Sequence, residues 1–147
     1  MWQGQHEHAM DAKGRTSLPS RFRDSLAEAG DDRFILTGAL EPCLVAYPLP
    51  EWRAFEEKLA GLPRFDASVV KLRRIYVSAA VEVTLDAQGR IAIPPSLRSH
   101  AALEKEIIWA GMGRHAELWS KERWARAIET SEDERIALAA KLSELGL

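Results

Sequence analysis

Asp11-Ala12-Lys13-Gly14-Arg15 is written a second time as Asp86-Ala87-Gln88-Gly89-Arg90, with four of the five residues identical. The agreement runs outward without a gap, at the offset that separates Asp11 from Asp86. Glu7 falls on Glu82, Met10 on Leu85, Leu18 on Ile93, Pro19 on Pro94, Phe22 on Leu97 and Arg23 on Arg98. Turn residues, apolar positions and a proline that all coincide at one offset mark an internal duplication.

The five residues have the chemistry of a turn. The Asp carboxylate can accept backbone N–H groups two residues on. Gly14 and Gly89 can take the positive φ of a bulge, which predicts a hairpin pairing of the flanking strands. A turn needs the Asp and the Gly; it does not need Arg15 or Arg90, yet an Arg follows both times. Asp11, Gly14, Asp86 and Gly89 are thus expected to form the turns, and the two arginines to act outward from them.

Composition is that of an ordinary globular chain: 147 residues, 46% hydrophobic and 29% charged. No apolar run approaches a membrane span, and the start lacks a basic segment followed by an apolar stretch. The single cysteine, Cys43, excludes an intrachain disulfide and is expected in the core. The net charge of −2 does not announce a nucleic-acid binder, but charge is segregated. Between Ala9 and Arg23, Asp11 faces Lys13, Arg15, Arg21 and Arg23; Lys71, Arg73 and Arg74 form a second basic cluster.

In chain order the first copy reads strand (His6–Met10), turn, strand (Arg15–Leu18) and a short helix entered at Pro19 and closed by Gly30. Strands Arg33–Thr37 and Cys43–Tyr47 follow. His6 and His8 share one half-exposed strand face, without the further ligands a metal site requires. A helix from Pro50 carries Trp52, Phe55, Leu59 and Leu62 on one stripe, with Trp52 in the core. Residues 65–77 predict a helical connector. The second copy replays the order: strand to Leu85, turn, strand from Arg90, a helix at Pro94-Pro95, strands Glu106–Gly111 and His115–Trp119, then a helix with Trp124. Ser131-Glu132-Asp133-Glu134 opens a last helix with Leu138, Leu142 and Leu145 on a stripe.

Four short strands and a stub of helix make a thin core for independent folding. The reading is therefore an α+β, β-rich fold in which two halves interlock as an intrachain pseudo-dimer and bring the Arg-tipped turns close together.

The doubled Asp-x-x-x-Arg, with Leu18-Pro19 and Phe22-Arg23 answered by Ile93-Pro94-Pro95-Ser96-Leu97-Arg98, resembles the MraZ family. Gly4, His8 and Tyr47-Pro48-Leu49-Pro50-Glu51-Trp52 carry the same resemblance. It implies two tandem SpoVT-AbrB-type DNA-binding domains of the swapped-hairpin β-barrel kind. They would span residues 5–52 and 81–124, with a helical connector at 53–80 and a C-terminal helix at 125–147. It implies a bacterial transcriptional regulator, not an enzyme, with no cofactor. Such a protein binds repeated boxes upstream of the division and cell-wall gene cluster, its own promoter included. It self-associates into rings and works in the cytoplasm on the nucleoid.

The motif carries DNA contact over to Lys13, Arg15, Gln88 and Arg90. An Arg fork can pair bidentately with guanine O6 and N7, while Lys13, Arg21 and Arg23 would serve phosphates. Gln88 loses the charge of Lys13 and keeps an amide able to meet a base. The alternative is an AbrB-type antitoxin or protein-interaction module. A small enzyme is disfavoured, since no nucleophilic set, phosphate-cradling loop or metal-ligand cluster stands at working spacing.

Overall fold

The computed structural model describes residues 1–147. The first half contains β1 (Gln5–Ala9), β2 (Arg15–Ser17), α1 (Ser20–Glu28), β3 (Arg33–Gly38), β4 (Leu44–Pro48) and α2 (Leu49–Ala60). A connector, α3 (Ala67–Leu72), runs into a π-helical turn, Arg73–Val77. The second half contains β5 (Val81–Thr84), β6 (Arg90–Ala92), α4 (Pro95–His100), β7 (Glu106–Gly111), β8 (Ala116–Ser120) and α5 (Lys121–Ala127). Helix α6 (Glu132–Glu144) ends the chain.

The elements match the sequence reading, but the pairing is not local. The expected β1–β2 hairpin does not form beyond its turn. The order in the main sheet is β1-β7-β8-β4-β3-β5, all antiparallel, and β2 and β6 form a separate two-stranded ribbon. The first strand of each half thus pairs in the other half: β1 lies on β7, from His6 opposite Trp109 to Ala9 opposite Glu106, and β5 lies on β3. Nor is there a closed barrel. β1 and β5 are the two edges of an open sheet, and the three-residue β2 and β6 satisfy each other rather than bridging those edges.

The reason for the exchange is burial. One face of the sheet (Phe34, Leu36, Leu44, Ala46, Ile107, Trp109, Leu118) meets Leu18, Phe22, Leu26, Ile91, Ile93 and Leu97 in a single cluster drawn from both halves. Neither half presents enough apolar surface to close that cluster alone. The opposite face carries Ile35 with Leu49 and Trp52 of α2, ringed by Tyr47, Phe55, Tyr76 and Ala80. Cys43 is fully buried there beside Val45 and Trp119, and burial pushes its thiol pKa up. The connector is not one uniform helix. Asp66 caps α3 by accepting the Ser68 and Val69 N–H groups, and the wider π turn sets the Tyr76 ring 5.4 Å from Phe55. The Tyr76 carbonyl there accepts the buried Thr37 hydroxyl at 2.6 Å.

Trp2, which sequence reasoning passed over, is 1% exposed, stacked 4.8 Å from Phe22 and edge-on to Phe34. Its backbone exchanges two hydrogen bonds with Gly113, at 2.7 and 2.8 Å. The N-terminus is therefore a plug in the shared core. Trp2→Ala should cost about 3–5 kcal/mol, read as a fall in denaturation midpoint.

The two short helices end alike but place different residues at the positive-φ position. Gly30 N–H reaches Ala27 O and Asp31 N–H reaches Leu26 O; Ala102 N–H reaches Ser99 O and Leu103 N–H reaches Arg98 O. Both are Schellman ends, and both place the residue after the cap at positive φ, +71° for Gly30 and +48° for Ala102. A Cβ is disfavoured in that region. Ala102→Gly should therefore raise stability by about 0.5–1 kcal/mol, measured by denaturant melts against wild type.

Candidate nucleic-acid interface

Each turn is built by its aspartate. Asp11 Oδ1 accepts the backbone N–H of Lys13 at 3.0 Å and of Arg15 at 2.8 Å. Its Oδ2 accepts Arg15 Nε–H at 2.8 Å. The second copy repeats this: Asp86 Oδ1 accepts Gln88 and Arg90 N–H, each at 2.9 Å, and Oδ2 accepts Arg90 Nε–H at 3.1 Å. Backbone bonds close both loops, Asp11 N–H to Arg15 O and Asp86 N–H to Arg90 O, each at 2.9 Å. Gly14 and Gly89 supply φ of +81° and +73°.

The arginines are therefore oriented and still open to solvent. Arg15 and Arg90 side chains are 44% and 40% exposed. In each, Nε is held by the aspartate. Arg90 adds a long donation from Nη2 to Gln88 Oε1 at 3.4 Å, which Lys13 cannot mirror in the first copy because an ammonium only donates.

The ribbon decides how the arginines stand to each other. Arg15 lies opposite Ala92, Thr16 opposite Ile91 and Ser17 opposite Arg90. Ile93 N–H to Gly14 O at 2.8 Å and Leu18 N–H to Gly89 O at 3.0 Å extend the same register by one residue at each end. Thr16 and Ile91 point into the core. Alternation then puts Arg15, Ser17, Arg90 and Ala92 on the outer face. Two residues along and one strand across separate the Arg15 and Arg90 Cα atoms by about 8 Å.

The remaining sequence-predicted residues divide. Lys13 and Gln88 are exposed at the turn tips, and Arg21 is exposed in the first turn of α1. Arg23 is drawn inward: a Cβ on Gly89 would lie 2.5 Å from Arg23 Nη1, so its guanidinium lies against the second turn. Arg98 lies in the same way against Gly14, 2.8 Å from Nε to where a Cβ would stand. Sequence reasoning met Arg98 only as the repeat of Arg23, and that match was the available signal. His6 and His8 are half-buried on β1; His8 Nδ1 meets Ser17 Oγ at 2.8 Å, and His6 stands edge-on to Phe22. Burial holds the His8 pKa below its usual value. Arg73 and Arg74 sit on the π turn, whose Tyr76 packs on the sheet face away from the ribbon. The structure does not bring that cluster to the arginines.

The same family model matches the chain twice, over residues 1–74 and 76–144; its description is "MraZ protein, putative antitoxin-like". The chain is 44% identical over 147 residues to a protein of Clostridium acetobutylicum, 42% to one of Heliobacterium modesticaldum and 43% to one of Alkaliphilus metalliredigens. Each comparison covers the whole of both chains, and each relative is named "Transcriptional regulator MraZ".

The carboxyls of Asp11 and Asp86 are held below their ordinary range, chiefly by the backbone N–H groups of Arg15 and Arg90 and then by the Arg side chains. A depressed carboxylate pKa favours the fold above the unfolded value and ceases to do so as pH falls through the folded value. Carboxyl carbon NMR titrations of Asp11 and Asp86 should therefore both give midpoints below the ~3.9 of free aspartate. Turn order should be lost only under more acid conditions. Midpoints at or above the free value would contradict the grip.

Proposed function

The chain belongs to the MraZ family, and on that premise we propose that it reads double-stranded DNA with the ribbon face that carries Arg15 and Arg90. It is a transcriptional regulator and not an enzyme.

The observation that carries the reading is the pair of oriented arginines on one outward face of a two-stranded ribbon. The DNA major groove is about 12 Å wide and admits such a ribbon. With Nε anchored on an aspartate, the Nη groups of Arg15 and Arg90 meet guanine O6 and N7. Gln88 meets a base edge or phosphate through its amide. Lys13 and Arg21 contact phosphates, which supplies affinity without sequence choice. Asp11, Gly14, Asp86 and Gly89 support the turns and do not touch DNA. Arg23, expected among the phosphate contacts, lies deeper, against the second turn.

The exchange of strands supports reading residues 5–52 and 81–124 as two SpoVT-AbrB-type domains of the swapped-hairpin kind, joined as an intrachain pseudo-dimer. Residues 53–80 are then the connector and 125–147 the C-terminal helix. One ribbon per chain is a weak reader. Self-association into rings would present many ribbons to repeated boxes in the chain's own promoter and raise affinity through effective concentration. Helix α6 supports self-association, since Ile136 and Leu138 stand exposed on it and Leu145 just past its end. The regulated genes are the division and cell-wall cluster, and the protein acts in the cytoplasm on the nucleoid. The words "antitoxin-like" in the family description favour a second reading, a protein-interaction module; a small stoichiometric partner that co-purifies and displaces DNA would establish it.

The test is fluorescence anisotropy with the chain's own upstream region and a scrambled duplex, over a salt series. Wild type should prefer its own region, and Arg15→Ala should lose about 1–3 kcal/mol of that preference, roughly 5- to 150-fold. Lys13→Ala should instead weaken binding to both duplexes and lower the salt slope by about one. An Arg15→Ala protein with unchanged preference would sink the reading.

A further inference from the structure

The two heads are not each made by one half. Arg98, on the second half's helix α4, lies close against Gly14 of the first half's turn. A Cβ on Gly14 would come within 2.8 Å of Arg98 Nε, 2.9 Å of its Cζ and 2.9 Å of the Ile93 carbonyl. Arg23, on the first half's helix α1, lies in the same way against Gly89 of the second half's turn, with Nη1 at 2.5 Å, Cδ at 2.6 Å and Cζ at 3.1 Å. Arg23 and Arg98 are repeat counterparts, so the contact occurs twice.

A second observation concerns the donors. Arg23 Nε and Arg98 Nε are both buried without a hydrogen-bond acceptor. A buried donor left unpaired is destabilising, and here it recurs at equivalent positions. Neither residue makes an ion pair within the chain. Each guanidinium, a planar group, therefore packs as a plate close to a glycine of the opposite turn rather than as half of a salt bridge. That glycine is the residue immediately before Arg15 or Arg90. Its carbonyl is also the acceptor that ties the turn to the other half, through Ile93 N–H or Leu18 N–H.

We propose that Arg98 is the positioning residue for Arg15 and Arg23 the positioning residue for Arg90, so that each reading head is a composite of one half's turn and the other half's helix. The proposal deepens the DNA-reading proposal and rests on it. The plate fixes the peptide from which the reading arginine departs, while the aspartate fixes its Nε. Removal of the plate leaves the arginine present but poorly aimed, which reduces base preference more than phosphate-driven affinity.

The connectivity makes the proposal testable by double-mutant cycles, because coupling must cross between the halves. Preference, the ratio of affinities for the chain's own upstream duplex and a scrambled duplex, is measured for Arg98→Met alone and in Arg15→Ala and Arg90→Ala backgrounds. Arg98→Met should cut preference at least fivefold alone and in the Arg90→Ala background, but less than twofold in the Arg15→Ala background. Arg23→Met should show the mirror pattern. Equal effects in both backgrounds would make Arg98 merely structural, and coupling of Arg98 to Arg90 instead would place the heads within single halves; either result overturns the proposal. Arg98→Lys, which keeps stem and charge, serves if the Met variant does not fold. In free protein its Arg15 Nε–H resonance should shift while that of Arg90 stays. The reverse, or no shift, overturns the proposal too. If Arg15→Ala and Arg90→Ala both leave preference intact, the DNA reading itself fails, and the NMR comparison still decides the bracing.

Discussion

Two backbone hydrogen bonds, Ile93 N–H to Gly14 O and Leu18 N–H to Gly89 O, are what the remaining architecture depends on. They tie the turn of each half to the strand end of the other, and they flank the three ribbon pairs on both sides. With the ribbon closed, Leu18, Ile91 and Ile93 are carried under it into the core. The short helices then start beside the opposite turn, because Pro19 and Pro94 follow directly after the residues that donate these bonds. Without them, two turns with correct local geometry would point in unrelated directions.

Local and long-range forces divide the work cleanly. The aspartate grip is wholly local, within five residues, and is nearly identical in both copies. As an exposed ion pair it contributes little to overall stability. Its effect is to remove freedom from an arginine that would otherwise sample many rotamers. Overall stability comes from the shared apolar cluster, in which Trp2, Phe22, Phe34 and Trp109 stack and meet edge-on across the two halves. The core holds the ribbon in place, and the carboxylates hold the arginines on the ribbon.

This division explains what the sequence disclosed. The turns, the strand and helix order, the buried Cys43 and Trp52, and the Ser131 cap, whose Oγ accepts Glu134 N–H, were all legible because they depend on residues close in sequence. The duplication further implied that the halves interlock. The partner of each strand was not legible. Gly14 with a positive φ suits a hairpin, but the choice between β2 and β7 as the mate of β1 is made by burial over the whole chain, which no five-residue pattern encodes. The place of Arg23 beside the second turn was not legible for the same reason. On its own helix it looks like a solvent-facing cation, and only the exchange of strands brings a foreign glycine beneath it. Trp2 went unread because it belongs to no periodic segment.

The two copies have also diverged at positions where the fold is indifferent. His8 and Ser17, which meet through a hydrogen bond, have apolar counterparts in Val83 and Ala92. At the end of the short helix, which is three residues shorter in the second copy, Gly30 is answered by Ala102, which keeps the same helix end at some conformational cost. Lys13 has its counterpart in Gln88, whose carbonyl turns toward Arg90, so the first turn carries one more positive charge than the second. The backbone geometry is the same at both turns; the groups offered to a partner are not. The ribbon is therefore close to twofold in shape and unequal in chemistry. Its outer face carries a free ammonium beside one arginine and an amide oxygen engaged by the other. Duplication supplied the matched pair of turns, and single substitutions made them distinguishable without disturbing the register that holds them together.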